Sequence, residues 1–479
     1  MTPHPTPPII YEINTPIFLH EIGQRVGYPV TLAEVPDKEW DAIARPGVSM
    51  VWLMGVWKRS SLAREMAKDE PWLKKTLPDM QPEDLLGSAY SIQDYTVDEL
   101  YGGNEALAVA RRKLKERGIG IMLDYVPNHV GIDHRWVTEH PNYFLPGTEH
   151  ELAKHPEAFV QTAGGIFAKG KDPNFDPWSD VLQLNAFSEG LRNEVISTLS
   201  FIASISDGVR CDMAMLMMNT IFKSTWGTWA GPAPATDYWP HIITAVREKA
   251  PDFLFLAEVY WDKQQDLLGQ GFDFCYDKDL YDDLLEGSVH RIRNHLQAPV
   301  AYQNHLLRFL ENHDEERAAK EFTVAKQMAA AVIIATLPGA HLYHDGQREG
   351  RLVKVPVHVG RRVDEPVNEA IALFYDKLWA FIAQKNFVVG EWNLLHPLSR
   401  FWHRPSHHVL AWEWTRETQR YIIAVNYSPQ KAHVALDIDR SKVAHAEDIL
   451  NGHVNWTEYI DGTRLALDAW QHIVITLEK

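Results

Sequence analysis

The chain has 479 residues, of which 45% are hydrophobic and 23% carry a formal charge. This composition is ordinary for a globular protein and excludes a disordered or fibrous chain. The length fits a β/α barrel of about 250 residues or more together with a smaller second domain. The net charge of −17 repels phosphate backbones and anionic lipids. We therefore expect no nucleic acid and no membrane as partner, whereas a neutral substrate is compatible with this charge. The sequence leaves the oligomeric state unknown.

Cysteine content and the N-terminus bear on the compartment. Only two cysteines occur, Cys211 and Cys275, and neither lies in a metal-binding or disulfide pattern, which predicts inert core thiols. The first residues contain no basic segment followed by an apolar run, and the sequence has no stretch typical of a membrane span. These features predict a cytoplasmic protein. A mature secreted chain whose signal has been removed is the alternative.

Strand patterns alternate with helical patterns through most of the chain. Helices are predicted at 37–44 and 104–116, and another begins at Glu189. Strands are predicted at 9–14, 48–54, 119–125, 206–212, 253–258, 272–275, 307–311 and 340–343. Such alternation is typical of a parallel sheet, and about eight strands indicate a closed barrel. The fold class we predict is therefore α/β, a (β/α)8 TIM barrel, whose sixth strand has the weakest pattern.

Two further segments depart from this alternation. Residues 127–185 are rich in Pro, Gly, His and aromatic residues without a helical period, which predicts an inserted lid domain after the third strand. Strand patterns at 409–414, 421–426, 432–436 and 472–477 predict a C-terminal antiparallel β-sandwich. The expected division is 1–126 and 186–387 for the barrel, 127–185 for the lid and 388–479 for the C-terminal domain.

Polar side chains lie where four of the predicted barrel strands end. They are Asp124 with Asn128 and His129, Arg210 with Asp212, Glu258, and Asn312 with His313 and Asp314. A buried parallel strand is expected to be apolar to its end, so carboxylates there are costly unless they are used. The C-terminal ends of barrel strands are where barrel enzymes build their active sites. Each group alone has a simpler interpretation, such as a salt bridge for Arg210 and Asp212 or a helix N-cap for Asp314.

The same segments resemble a known family. Asp-Tyr-Val-Pro-Asn-His at 124–129, Gly-Val-Arg-Cys-Asp at 208–212, Glu-Val at 258–259 and Asn-His-Asp at 312–314 are similar, in this order, to the sequence regions of the α-amylase family, glycoside hydrolase family 13. Tyr-Glu-Ile at 11–13, Tyr-Ser-Ile-Gln-Asp-Tyr at 90–95, Gln-Leu-Asn at 183–185 and Leu-Pro-Gly at 337–339 agree. The resemblance covers residues 9–385.

The resemblance implies a role for each matched residue. Asp212 corresponds to the nucleophile, Glu258 to the general acid/base and Asp314 to the third carboxylate. The matched substrate-binding residues are Tyr90, Asp124, His129, Arg210, His313 and Arg317. Bond cleavage through an oxocarbenium-like state requires one ionised carboxylate and one carboxylic acid. We expect Arg210, two residues from Asp212 on the same strand face, to keep Asp212 ionised.

The family resemblance predicts a retaining glycoside hydrolase that cleaves α-glucosidic bonds, α-1,4 or α-1,6, of neutral maltooligosaccharide- or glucan-type substrates. The alternatives are a transglycosylase or isomerase using the same site, and a non-catalytic sugar-binding member. Many endo-acting amylases have Lys-His where this chain has Met215 and Leu216, which predicts a preference for short α-glucosides. No metal and no cofactor are expected; calcium stays open, although no clear motif supports it.

Overall fold

Eight parallel strands close into a barrel in the computed structural model of the protein, which describes residues 7–385, 387, 390–396, 407–458, 460–461 and 464–478. The strands are β1 Ile9–Asn14, β2 Val48–Met54, β3 Gly120–Tyr125, β4 Gly208–Cys211, β5 Leu254–Ala257, β6 Phe274–Tyr276, β7 Leu306–Arg308 and β8 Ala340–His344. Each strand pairs with its neighbours in the chain, and β1 pairs with β8. The predicted (β/α)8 barrel is confirmed.

Helices surround the barrel strands, whose side chains are buried almost throughout because both faces of a parallel sheet are covered. The long helix before β4 begins after Ser188, whose Oγ accepts a hydrogen bond from the main chain of Leu191. The helices are Thr15–Val26, Asp37–Ile43, Ser61–Ala67, Pro71–Thr76, Gly103–Lys115, Trp136–Glu139, Glu149–Lys154, Glu189–Ile205, Asn219–Trp226, Tyr238–Lys249, Gln264–Gly269, Lys278–Glu286, Val289–His295, Val300–Gln303, Ala318–Glu321, Val324–Thr336 and Glu369–Lys385. Within the described ranges, no helix has the length and apolarity needed to cross a membrane.

The strand ends differ from the sequence prediction in a way that matters for the site. Strand β5 ends at Ala257, so Glu258 is the first residue beyond it. Strand β7 ends at Arg308, three residues earlier than predicted, and His313 and Asp314 lie in the loop that follows. This difference arises because closure of the barrel limits β7 to its pairing with β6 and β8, whereas the apolar pattern of the sequence runs further.

The long connection between β3 and the helix before β4 contains short elements of its own. Strands His129–Gly131 and Val181–Gln183 pair antiparallel, and Phe159–Thr162 forms a hairpin with Gly165–Ala168. Outside this connection, strands Trp57–Arg59 and Ile92–Val97 pair antiparallel after β2. The connection leaves the barrel end at which the carboxylates lie.

Two antiparallel sheets form the C-terminal part of the described chain. One has six strands, in the spatial order Glu391–Leu394, Val409–Arg416, Gln419–Asn426, His472–Glu478, Val443–Asp448 and Gly452–Val454. The other has the order Ala432–Ala435, Arg464–Leu467 and Ile460–Asp461. Apolar side chains from both sheets share one core, as expected for a sandwich. The predicted boundary at 388 falls on a residue outside the described ranges.

Candidate active site

Arg210 is the centre of a buried charge cluster at the C-terminal ends of the barrel strands. Its side chain is fully buried, with Nη1 2.9 Å from Oδ1 of Asp212 and Nη2 2.7 Å from Oε2 of Glu258. Oδ1 of Asp124 lies 3.4 Å from Nη1, and Oδ2 of Asp314 lies 3.7 Å from Nη2. The guanidinium of Arg210 therefore lies close to four carboxylates that the sequence placed at the ends of separate strands.

Strand register explains part of this convergence. Arg210 on β4 is the direct partner of Asp124 on β3 and of Leu256 on β5. Side chains two residues apart on a strand share a face, so Arg210 and Asp212 point to the barrel mouth together. The salt-bridge interpretation of Arg210 and Asp212 is correct as geometry, but the bridge belongs to a larger set of carboxylates.

Glu258 is held by three donors. Besides Arg210, the main-chain N–H of Met213 donates to Oε2 at 2.7 Å, and the hydroxyl of Tyr260 donates to Oε1 at 2.7 Å. Met213 has φ 41° and ψ 46°, a left-handed conformation that costs energy for a residue other than glycine. Because of this turn, the main-chain N–H of Met213 points towards Glu258.

The pKa of Asp212 differs from the expectation. Burial, followed by the nearby carboxyl group of Glu258, raises the pKa of Asp212 to about 8, although Arg210 acts in the opposite direction. The prediction that Arg210 keeps Asp212 ionised is therefore wrong at neutral pH, because removal of the carboxylate from water beside a second acid outweighs one shared cation. Asp212 therefore keeps its proton up to about pH 8.

His313 and Asp314 form a second charged group beside Arg210. Nε2 of His313 lies 2.9 Å from Oδ2 of Asp314, and Nδ1 lies 2.5 Å from Oε1 of the buried Glu12. Despite burial, these two carboxylates raise the pKa of His313 to about 10, and His313 lowers the pKa of Asp314. The imidazolium is thus charged at neutral pH. Asp314 is exposed, with 44% of its side chain accessible, so its carboxylate faces solvent.

Tyr90 and Asp124 complete one wall. The ring of Tyr90 stacks on His313 with an interplanar angle of 18°, and its hydroxyl lies 2.6 Å from Nε2 of that residue. Nε1 of Trp52 donates to Oδ2 of Asp124 at 3.1 Å, and burial raises the pKa of Asp124. Both residues lie beside Arg210, as the resemblance implied.

His129 and Arg317 contact neighbours of the Arg210 cluster, and the described contacts of both residues leave out Arg210 itself; His129 hydrogen-bonds the main chain of Tyr90. His129 is buried against Trp178, at 5.0 Å between ring centroids, and burial lowers its pKa to about 3. Arg317 lies 2.9 Å from Oε1 of Glu311 and 2.7 Å from Nδ1 of His344. Arg317 therefore supports the loop that carries His313. The N-cap interpretation of Asp314 is wrong, since the next helix begins at Ala318, after Arg317.

Sequence reasoning missed the residues that hold the carboxylates and His313. These are Glu12 at Nδ1 of His313, Tyr260 at Glu258, Trp52 at Asp124, and Tyr276, whose hydroxyl accepts from Nε of Arg210 at 3.3 Å. Glu12 gave a signal, because it is a carboxylate inside an otherwise apolar strand. The sequence contains no comparable signal for Trp52, Tyr260 and Tyr276, since aromatic residues are common in barrel cores.

The residues around Asn128 do not fit a calcium ion. The buried Nε2 of Gln183 donates to the main-chain oxygen of Asn128 at 3.0 Å, to its Oδ1 at 2.8 Å and to the main-chain oxygen of Leu184 at 3.0 Å. A calcium ion needs six to eight oxygen ligands that are free to face it. Here an amide N–H group already satisfies the converging oxygens.

The protein is thus a (β/α)8 barrel that carries a cluster of carboxylates around one arginine at the C-terminal ends of its strands. Residues 41–269 match the family model of the α-amylase catalytic domain. α-Amylase MalA of Haloarcula japonica is 24% identical over 333 residues, which cover 67% of this chain and 44% of that protein. The resemblance read from the sequence is confirmed: the chain is similar to the α-amylase catalytic domain over residues 41–269.

Solved structures support the same fold over nearly the whole chain. The maltogenic α-amylase AmyB of Thermotoga neapolitana has a TM-score of 0.69 at 20% identity, covering 98% of this chain and 99% of that one. The Nostoc punctiforme debranching enzyme, in a structure soaked with acarbose, has a TM-score of 0.68 at 17% identity, covering 99% and 100%. The chain spans less than half the length of the Haloarcula relative.

Proposed function

We propose that the protein is a retaining glycoside hydrolase that cleaves α-glucosidic bonds of maltooligosaccharide- or glucan-type substrates. The observation that carries the proposal is the placement of Asp212 and Glu258 on the two terminal nitrogens of Arg210, with the exposed Asp314 at its edge. A retaining glycosidase needs a nucleophile and an acid on either side of one bond, at about 5–5.5 Å between carboxyl groups. Two acids bridged by one planar guanidinium are suited to that separation.

In the proposed reaction, Oδ of Asp212 attacks the anomeric carbon and forms a glycosyl ester. Glu258 donates a proton to the departing glycosidic oxygen, and the bond electrons leave with that oxygen. Water then attacks the ester after Glu258 takes one of its protons, which restores both groups. Asp212 must lose its proton before it attacks, because burial beside Glu258 raises its pKa to about 8. Arg210 stabilises the negative charge that Asp212 then carries.

Substrate contacts are assigned to the residues that face solvent or the cluster. Asp314 offers an acceptor for a sugar hydroxyl, and Tyr90 offers a ring surface. His313, whose two ring nitrogens already contact Glu12 and Asp314, is proposed to position Asp314. His129 and Arg317 are likewise proposed to act through neighbouring residues. We place segment 127–185 over the site as an inserted lid, anchored where Oγ of Ser91 donates to the main-chain oxygen of Asp180. The two buried thiols, both unpaired, suit the cytoplasmic location.

Kinetics of two variants test the roles. Asp212→Asn is expected to abolish turnover of every α-glucoside. Glu258→Gln is expected to lower kcat on maltooligosaccharides by at least about 100-fold while sparing α-glucosyl fluoride, which needs no acid for its leaving group. Glu316→Gln, a carboxylate two residues from Asp314 that pairs with Lys320 at the surface, serves as the control and should retain activity. Equal losses on both substrates in Glu258→Gln would contradict the assignment.

Product analysis separates hydrolysis from transfer. Chromatography of products from a panel of α-1,4- and α-1,6-glucosides should give free shorter sugars whose anomeric configuration is initially retained. Longer products, or isomers with a new linkage, would instead support a transglycosylase or isomerase. Absence of any turnover with unchanged sugar binding would support a non-catalytic member of the fold.

A further inference from the structure

We propose a second, unrelated site: a divalent transition-metal site of the zinc type in the C-terminal sheet, formed by His445, Glu447 and His453. These side chains offer two imidazole nitrogens and one carboxylate oxygen, all within 4.8 Å of one another. Among the residues that the structure describes, no other group of three metal-ligating side chains converges so closely. The site shares no residue with the Arg210 cluster and is independent of the glycosidase proposal.

Strand pairing brings the three residues together. Strands Val443–Asp448 and Gly452–Val454 form an antiparallel hairpin at the sheet edge, in which Glu447 lies directly opposite His453. His445 precedes Glu447 by two residues and shares its face, whereas Ala446 between them faces the sandwich core. The pairing with the adjacent strand shifts register between Val443 and His445, a bulge of the kind that redirects a side chain.

The distances are close to those of a tetrahedral site. Nε2 of His445 lies 3.3 Å from Oε1 of Glu447, and Nδ1 of His453 lies 4.0 Å from the same oxygen. The two imidazole rings are 5.1 Å apart between centroids. Ligands at about 2.0–2.1 Å from a tetrahedral zinc ion are separated by about 3.4 Å. Small rotations of the exposed His453 ring would therefore complete the geometry, with water or the nearby hydroxyl of Thr476 as a fourth ligand.

The surroundings orient the carboxylate. Nζ of the buried Lys385 lies 3.1 Å from Oε2 of Glu447, which leaves Oε1 facing the two histidines. An outer partner of this kind fixes a ligand and preserves its charge. The ammonium group also repels a cation, so moderate affinity is expected. Two nitrogen ligands with one oxygen favour zinc, nickel or copper over magnesium and calcium, which prefer oxygen alone.

Such an ion would tie the edge strand Gly452–Val454 to the rest of the sheet. That strand contains the exposed His453 and pairs on one side only. Binding to the folded chain but not to the unfolded chain raises the melting temperature. The expected consequence is a zinc-dependent increase in the stability of the C-terminal domain, with no change in the chemistry at Arg210.

The test uses the full-length chain without a histidine tag, freed of metal by chelation. Equilibrium dialysis with zinc should show one more bound ion per chain in the wild type than in His453→Ala, with affinity at the site at least tenfold weaker in Glu447→Gln. His433→Ala removes an exposed histidine of the same domain outside the cluster and should match the wild type. Cobalt should give the strong visible absorption of a tetrahedral complex in wild type and His433→Ala only. Equal zinc stoichiometry in wild type and His453→Ala, or no binding to the wild type at 100 μM zinc, would overturn the proposal, whatever the glycosidase assays show.

Discussion

Nη1 and Nη2 of Arg210 contact the two acids that the proposed reaction uses, Asp212 at 2.9 Å and Glu258 at 2.7 Å. The cation and its partners are buried together, so each charge is satisfied mainly by the others rather than by water. Removal of Arg210 would leave an excess of negative charge in a place that water reaches poorly. The pKa of Asp212 thus depends on this one side chain.

The first prediction concerns pH. Asp212 attacks as a carboxylate and burial raises its pKa to about 8, so kcat/KM should rise as the pH increases towards 8. Arg210 lowers the pKa of Asp212, so Arg210→Gln should move this limb to higher pH and lower activity strongly, whereas Arg210→Lys should leave the limb near its place. Profiles of kcat/KM from pH 4 to 10 on maltotriose check this. A limb that moves to lower pH in Arg210→Gln would refute the account.

A second prediction concerns stability. The pKa of Asp212 is about 8 in the folded chain and about 3.9 for an unperturbed aspartic acid. The folded state therefore binds more protons than the unfolded state in this window, and the free energy of unfolding falls as the pH rises from about 4 to 8. Asp212→Asn removes this dependence, so it should raise the melting temperature at pH 8 more than at pH 4.5. Calorimetry at both pH values measures the difference, with Glu316→Gln as control.

Glu12 supplies the third prediction. Its carboxylate helps to raise the pKa of His313, so Glu12→Gln should lower that pKa. His313 should then lose its proton at a pH that can be reached in an assay. The stability that His313 contributes is complete below about pH 6.5 and is lost as the pH rises through its folded pKa, so this loss should be complete at lower pH in the variant. NMR titration of the imidazole measures the pKa directly. An unchanged value would show that Asp314 alone maintains the charge.

The fourth prediction concerns calcium and the side-chain amide of Gln183. Calcium added to the metal-free chain should change neither the melting temperature nor kcat, because the Gln183 amide already satisfies the oxygens around Asn128. Gln183→Ala should destabilise the chain by about 1–3 kcal/mol, since it leaves buried oxygens without donors. Denaturant unfolding with and without calcium measures both effects. Strong stabilisation of the wild type by calcium would mean that the amide is displaced by an ion.

The last prediction concerns substrate length. Met215 and Leu216 are buried in a 3-10 turn after β4, so they offer no donor to a long glucan. Short α-glucosides should therefore be preferred over internal bonds of starch. The measurement compares kcat/KM for maltose through maltoheptaose, soluble starch and end-blocked maltooligosaccharides. A rate that rises steeply with length and persists on end-blocked substrates would establish an open cleft and endo action.

The barrel could be predicted from the sequence alone, because apolar strand patterns with the right spacing have few other ways to be buried. The sequence also predicted that Asp212, Glu258 and Asp314 form a candidate site, since carboxylates at the ends of buried strands are costly unless they are used, and the structure brings these three together around Arg210. Three contacts became visible only in the folded chain. Arg210 contacts Glu258, and Glu12 contacts His313 although the two are 301 residues apart in sequence. The side-chain amide of Gln183 donates to the side-chain oxygen of Asn128. The reason is that local patterns report burial and periodicity, whereas a pKa and a hydrogen bond depend on atoms that only barrel closure brings together.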